Sequence, residues 1–146
     1  MSTGLLIGSI VAAVFVVIAA ASAAAETAMT RISRARADGF DHEEHPGAAA
    51  LVEVLGERET TLAPLLLSRV AAHVGAITIV VTLVADRRST GGVVIAAIGS
   101  AAALYIFAEA IPRIWALQHI DRAALRSARI LRVLLRIAPL RALTRL

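Results

Sequence analysis

Four ionisable residues sit in or beside stretches of this chain that are otherwise almost free of charge: Glu26, Arg69, His73 and Glu109. A charge at the centre of a bilayer costs about 2.5–3.5 kcal/mol, and less near an edge, so charges in such stretches call for partners or an ion. Counted at 1.5 Å per helical residue from the nearest end of each stretch, Glu26, Arg69 and Glu109 lie roughly 6–11 Å deep, three charges on three helices at one level. Ser22 stands one turn from Glu26 and His73 one turn from Arg69, so each pair shares a helix face. Pro112 has no amide hydrogen, and the carbonyl of Ala108 thereby loses its usual helical partner beside Glu109. Oxygen atoms of this kind suit a hard cation, which makes Glu109, Glu26, Ser22 and the carbonyl of Ala108 the candidate metal ligands. Simpler arrangements use the same residues: Glu109 pairing with Arg113 one turn on, or Arg69 snorkelling to the headgroups. His42-Glu43-Glu44-His45 also resembles a set of metal ligands. Its order is not the His-Glu-x-x-His that places two histidines one turn apart, and it reads as a solvated acidic loop.

The elements that carry these residues follow from composition. The chain has 146 residues, of which 58% are hydrophobic, and a mean hydropathy of +0.77; soluble domains are roughly 45–50% apolar. Leu5–Ala25 holds no charge, Leu62–Ala85 only Arg69 and His73, and Gly91–Ala108 none before Glu109. About 20 apolar residues in a helix cross a hydrocarbon core of about 30 Å, and a span must satisfy its own backbone, which excludes loops. A soluble bundle is excluded because the first and third runs are apolar all round. The sequence therefore predicts an all-α membrane protein in one domain, 1–146. Its transmembrane helices cover about 5–30, 62–85 and 91–117, with a short cytoplasmic helix and a C-terminal juxtamembrane amphipathic helix over about 120–138. With no cysteine, disulfides and thiolate metal sites are excluded. The basic side chains are all arginine and gather at membrane edges, which argues for the lipid bilayer as partner and against nucleic acid. No nucleophile–base arrangement or cofactor loop is visible, so no enzyme is expected. Ala21-Ser22-Ala23 resembles a signal-peptidase site, but no basic residue precedes the apolar run, and an uncleaved span is expected.

Orientation follows the arginines near the span ends. Arg31, Arg34 and Arg36 follow the first span, and Arg113 with the arginines of the tail follows the third, whereas Asp86–Gly92 has only Arg87 and Arg88. A multi-pass protein of the inner or plasma membrane is expected, its N-terminus outside and its C-terminus cytoplasmic. Between the first two spans, Asp38-Gly39-Phe40-Asp41 reads as a turn, and Pro46 opens a helix that runs through Ala48–Leu55 and stops near Gly56. In the tail, Arg122, Arg126, Arg129, Arg132 and Arg136 recur at steps of three and four, a basic stripe on one helix face. Leu125, Ala128, Leu131, Leu135 and Ala138 mark largely apolar faces, and Pro139 should end or kink the helix. Such a helix suits a surface of anionic lipid headgroups; the other reading is a helix packed on a missing soluble domain. Gly4 with Gly8, Gly92 with Ala96 and Ser100, and Gly99 with Ala103 have the small-residue spacing that lets helices approach in lipid.

Two motifs carry a family resemblance. Glu26-Thr27-Ala28-Met29-Thr30-Arg31-Ile32-Ser33-Arg34-Ala35-Arg36 resembles the ETALTSLSRAR stretch of the CNNM (cyclin M) and CorC/HlyC family transmembrane domain, and Phe107-Ala108-Glu109-Ala110-Ile111-Pro112-Arg113 resembles its FGEILPK motif. The layout of spans and connecting segments is similar over essentially the whole chain. The resemblance implies a dimeric membrane protein with three spans per subunit and a juxtamembrane belt, linked to magnesium export with sodium as the coupling ion. Glu109 and Pro112 match the second motif, Glu26 matches the acidic position of the first, and Mg2+ is the implied ion. The departures fall at the implied ion site. The family's serine is replaced by Ala23, its glycine by Ala108, and the asparagines of a GNNLVN-like motif by Arg69 and His73. Arginine only donates hydrogen bonds, and histidine nitrogen suits zinc-like metals better than magnesium. Family proteins usually continue into a paired nucleotide-binding CBS module. Two functions are therefore expected in competition: a cation-transport domain of this type altered at its ion site, or a non-transporting scaffold or partner subunit of a complete paralogue, in a homodimer or heterodimer. Arg69 is expected to replace the ion, within pairing distance of Glu109 or Glu26.

Overall fold

The computed structural model describes residues 3–85 and 89–137, except the side chains of Glu59, Thr60 and 134–137. Asp86, Arg87, Arg88, Ala138 and Pro139 lie outside the described residues, as do the side chains of Leu135 and Arg136. The chain is all-α among the described residues: α1 (Thr3–Arg31), α2 (Arg34–His42), α3 (Ala48–Gly56), α4 (Arg58–Ala85), α5 (Thr90–Leu104), a π-helical segment (Tyr105–Ala110), α6 (Ile111–Gln118) and α7 (Ile120–Ile137). Three stretches are long and apolar enough to cross a membrane, Thr3–Arg31, Thr61–Ala85 and Thr90–Gln118. The chain divides into two compact units, Met1–Ala23 with Ser68–Pro112, and Ala24–Leu67 with Arg113–Leu146.

The first unit holds the most apolar parts of the spans. Its buried centre is small: Ala19, Ala72, Ala76, Leu104 and Ala108, with Phe15, Val16 and Ile77 packed on it. Its large side chains point outward, Ile95 at 73% exposure and Val17 and Ile98 at 66%, the distribution a lipid-facing surface requires and a water-facing one penalises. Close approach falls at two glycines. A Cβ on Gly75 would lie 3.0 Å from the Phe15 ring, and one on Gly8 3.1 Å from Leu83. Gly8 was legible in the small-residue spacing, Gly75 was not; a Cβ on Gly4 or Gly99 would meet no described atom within 4 Å.

The second unit is packed from short helices around a core rich in alanine, with Met29, Leu51 and Val54 its largest fully buried apolar side chains. Here the structure corrects two expectations. Asp38-Gly39-Phe40-Asp41 is not a turn but part of α2. Ser33 caps that helix by accepting from the amide of Arg36, Ala37 is fully buried, and Phe40 packs on the core; these gains outweigh the cost of about 1 kcal/mol for glycine in a helix. Pro46 does not open the next helix. It precedes Gly47, the N-cap of α3, whose φ of 99° is in the left-handed region. A Cβ there would lie 2.7 Å from Nε of Arg129 and 3.0 Å from the carbonyl oxygen of Leu125. Gly47→Ala is therefore expected to destabilise the chain by about 1–3 kcal/mol, through strain and displacement of Arg129; an unchanged melting temperature in detergent would contradict this.

His42 at the end of α2 and His45 between α2 and α3 have local partners. His42 Nδ1 donates to the carbonyl of Asp38 at 2.9 Å, and His45 Nε2 lies 3.0 Å from Glu43 Oε2, its ring edge-on to Phe40.

In α7, Ala124, Ala128 and Leu131 are buried in the core beside Leu51 and Val54 of α3. This apolar face rests on protein. The outer face carries Arg122, Arg126 and Arg129 with Ile130 and Val133. Two arginines of the stripe are engaged by the α3 segment: Arg129 donates to the carbonyl of Pro46, and Arg132 Nε lies 3.0 Å from Glu53 Oε2. Arg36 and Asp121 make a two-pronged pair, 2.8 Å from Nε to Oδ1 and 2.6 Å from Nη2 to Oδ2. The hydrogen bond from Arg36 holds the Asp121 carboxyl below its ordinary range, partly opposed by desolvation. A carboxylate with a depressed native pKa stabilises the fold above its unfolded pKa, and that contribution is lost as pH falls through the native value. Asp121→Asn should thus lower stability modestly at neutral pH, and the difference should vanish in acid below the ordinary carboxylate range. Parallel melting curves against pH check this; a constant difference at every pH would rule the pair out as its source.

Candidate functional site

Glu109 is carried by the π-helical segment, where the amide of Ile111 donates to the carbonyl of Ile106, five residues back. π-Bulges of this kind insert an extra residue and turn the side chains that follow. Pro112 comes next and can donate in neither register. The carbonyl it leaves is that of Phe107 where the five-residue ladder persists, and that of Ala108 where the four-residue ladder resumes. The side chain of Ala108 is fully buried in the cluster of Ala19, Ala72, Ala76 and Leu104.

Within the first unit α4 brings two nitrogen groups to that carboxylate. Arg69 Nη1 lies 3.7 Å from Oε1 of Glu109, and His73 Nε2 lies 3.8 Å from Oε2. The side chains are largely covered, with 14% exposure for Arg69 and 22% for Glu109. His73 Nδ1 is 2.9 Å from the carbonyl of Arg69. A carbonyl only accepts, so Nδ1 carries hydrogen, and Nε2 of a neutral ring turns a lone pair toward the carboxylate. A second proton on Nε2 would convert that contact into an ion pair. Opposite unit charges about 4 Å apart attract by about 4 kcal/mol at the effective dielectric of a protein edge. Glu109 is thus held by a fixed positive charge on a neighbouring helix.

Ser22 donates to the carbonyl of Ile18 at 2.8 Å and lies 3.2 Å from the hydroxyl of Ser68 on α4. Ser68 went unremarked in the sequence; its signal was a hydroxyl beside Arg69 in an apolar run. Ala23 is fully buried. Glu26 belongs to the second unit, where its Oε2 lies 4.0 Å from Arg113 Nη2. Among the described residues no three His, Cys, Asp or Glu side chains stand close enough together to hold a metal ion. Of the oxygen-bearing side chains named for the site, the first unit holds the Glu109 carboxylate and the Ser22 hydroxyl, with Ser68 beside the latter. Mg2+ demands near-octahedral oxygen ligands or retained waters, and a guanidinium 3.7 Å from the carboxylate stands against it.

Comparison with curated proteins finds no match to this chain. The family model described as the cyclin M transmembrane N-terminal domain matches residues 10–145, a range that takes in most of the first span, the other two spans, both motifs and the belt helix. The chain belongs to the cyclin M transmembrane-domain family, a family of membrane proteins of divalent-cation transport.

Proposed function

We propose that this chain is a magnesium-transport membrane domain, sodium-coupled and exporting as the resemblance implies, in which Arg69 occupies the place of the cation at Glu109. The observation that carries the proposal is the Arg69–Glu109 distance of 3.7 Å, with His73 at 3.8 Å on the other carboxylate oxygen. Glu109, Ser22 and a backbone carbonyl next to Pro112, all in the first unit, are the oxygen donors on which the proposal rests. In this reading the carboxylate becomes available only when α4 carries Arg69 away or when an incoming cation displaces it, because arginine keeps its charge at any relevant pH. Proteoliposomes loaded with a Mg2+-sensitive dye test it. Slow Mg2+ movement is expected for the unaltered chain and faster movement for Arg69→Asn. Rates equal to protein-free vesicles in both cases would favour the second reading, a non-transporting partner subunit. That reading draws on the same guanidinium, a charge that titration does not remove.

The proposed orientation places the N-terminus outside and the C-terminus in the cytoplasm, on the arginine asymmetry of the span ends. Fusions at Leu146 are expected to be active with a cytoplasmic reporter and silent with one that works outside; the opposite pattern would overturn the orientation.

A further inference from the structure

The second unit contains a cavity of about 650 Å³ where α1 ends, α2 begins and α6 passes into α7. Its polar lining is Arg31, Ser33, Arg36, His119, Asp121 and Arg122. Arg36 and Asp121 neutralise each other through their two short hydrogen bonds. Ser33 accepts from the Arg36 amide, and His119 bonds through Nδ1 to the carbonyl of Trp115 at 3.2 Å while stacking on that indole. Arg31 and Arg122 remain. Neither has a hydrogen bond or ion pair among the described residues. Two guanidinium groups therefore line one cavity whose only carboxylate among the described residues is already engaged by a third. Their mutual repulsion is unfavourable unless an anion lies between them. Helix dipoles do not decide the matter, because two helices begin at the cavity and two end there.

The position of these residues in the chain selects the anion. Arg31 is the last residue of the first membrane-crossing stretch, and Gln118, which also lines the cavity, is the last of the third. The cavity is thus formed at chain positions where hydrocarbon gives way to headgroups. Guanidinium forks match phosphate oxygens in pairs. We propose that this cavity binds a phosphate group, with Arg31 and Arg122 as its ligands and the Arg36–Asp121 pair as a fixed wall. The site is separate from Glu109 and stands whether or not the chain moves an ion. Its phosphate comes either from an anionic phospholipid or from free solution.

The full chain in mild detergent distinguishes these sources. Native mass spectrometry with phosphatidylglycerol against phosphatidylcholine reads the lipid arm, and calorimetry with inorganic phosphate reads the soluble arm. Retention of phosphatidylglycerol is expected to exceed that of phosphatidylcholine, and to fall about tenfold in Arg31→Gln/Arg122→Gln. It should stay unchanged in Arg58→Gln, which removes an arginine at the start of α4, outside both the cavity and the basic stripe of α7. Each single variant should lose about threefold and keeps the test readable where the double variant fails to fold. Binding of inorganic phosphate that the cavity variants lose, without lipid preference, would support the site and assign it to a soluble anion. Lipid and phosphate binding unaffected by the cavity variants, or an equal loss in Arg58→Gln, would overturn the proposal.

Discussion

Replacing Arg69 with asparagine is expected to raise the affinity of the chain for Mg2+ by about tenfold or more. The guanidinium lies 3.7 Å from the Glu109 carboxylate. A divalent cation approaching that oxygen must break an attraction of about 4 kcal/mol and then bear the repulsion of the displaced charge. Asparagine removes both penalties and supplies a carbonyl oxygen, a ligand type that Mg2+ accepts. Arg69→Lys separates the two contributions, because it keeps the charge and discards the planar fork; its affinity should remain low. His73 also faces the carboxylate, 3.8 Å from its other oxygen, so all variants are compared at one fixed pH. Calorimetry on the detergent-solubilised chain gives the comparison. Equal Mg2+ affinity in the unaltered chain and Arg69→Asn would mean that Arg69 does not guard the site.

How much of this was legible in the sequence varies with the physics behind each element. The three spans were, because a bilayer demands long uninterrupted apolar helices and little else can satisfy their backbones. The nearness of Arg69 to Glu109 was also open to argument from charge alone, since an unpaired charge at that depth is costly. Local signals did worse. Asp38-Gly39 has the composition of a turn, yet α2 continues through it, because the Ser33 cap and the burial of Ala37 act from outside the pair. The π register at Tyr105–Ala110 leaves no mark in residue type; Pro112 signalled a missing donor but not which carbonyl loses it. Amphipathicity showed that one side of α7 is covered, not what covers it. Ala128 and Leu131 are taken up by the core that Leu51 and Val54 of α3 share, leaving Arg122 and Arg126 on the outer face.

Removing the carboxylate should be more damaging than removing the pair. Glu109→Leu takes this carboxylate away from Arg69, a covered positive charge at 14% exposure. Loss of one partner from a buried pair typically costs 3–5 kcal/mol, whereas exchanging both partners for apolar groups of similar volume is often neutral. A loss of about 3 kcal/mol is expected for Glu109→Leu, at the low end because some exposure remains. Arg69→Met/Glu109→Leu should recover most of it. Hydrophobic gain alone predicts another order, since leucine at 109 adds apolar area in both variants and would stabilise both. His73 serves as an internal control. It stands 3.8 Å from Oε2 but, unlike arginine, carries no fixed charge, so His73→Gln in the Glu109→Leu background should recover little. Equilibrium unfolding in mixed detergent and sodium dodecyl sulfate measures all four chains. If Glu109→Leu unfolds at the same detergent fraction as the unaltered chain, Arg69 has found water or a headgroup, and the ion-pair account of this site is wrong.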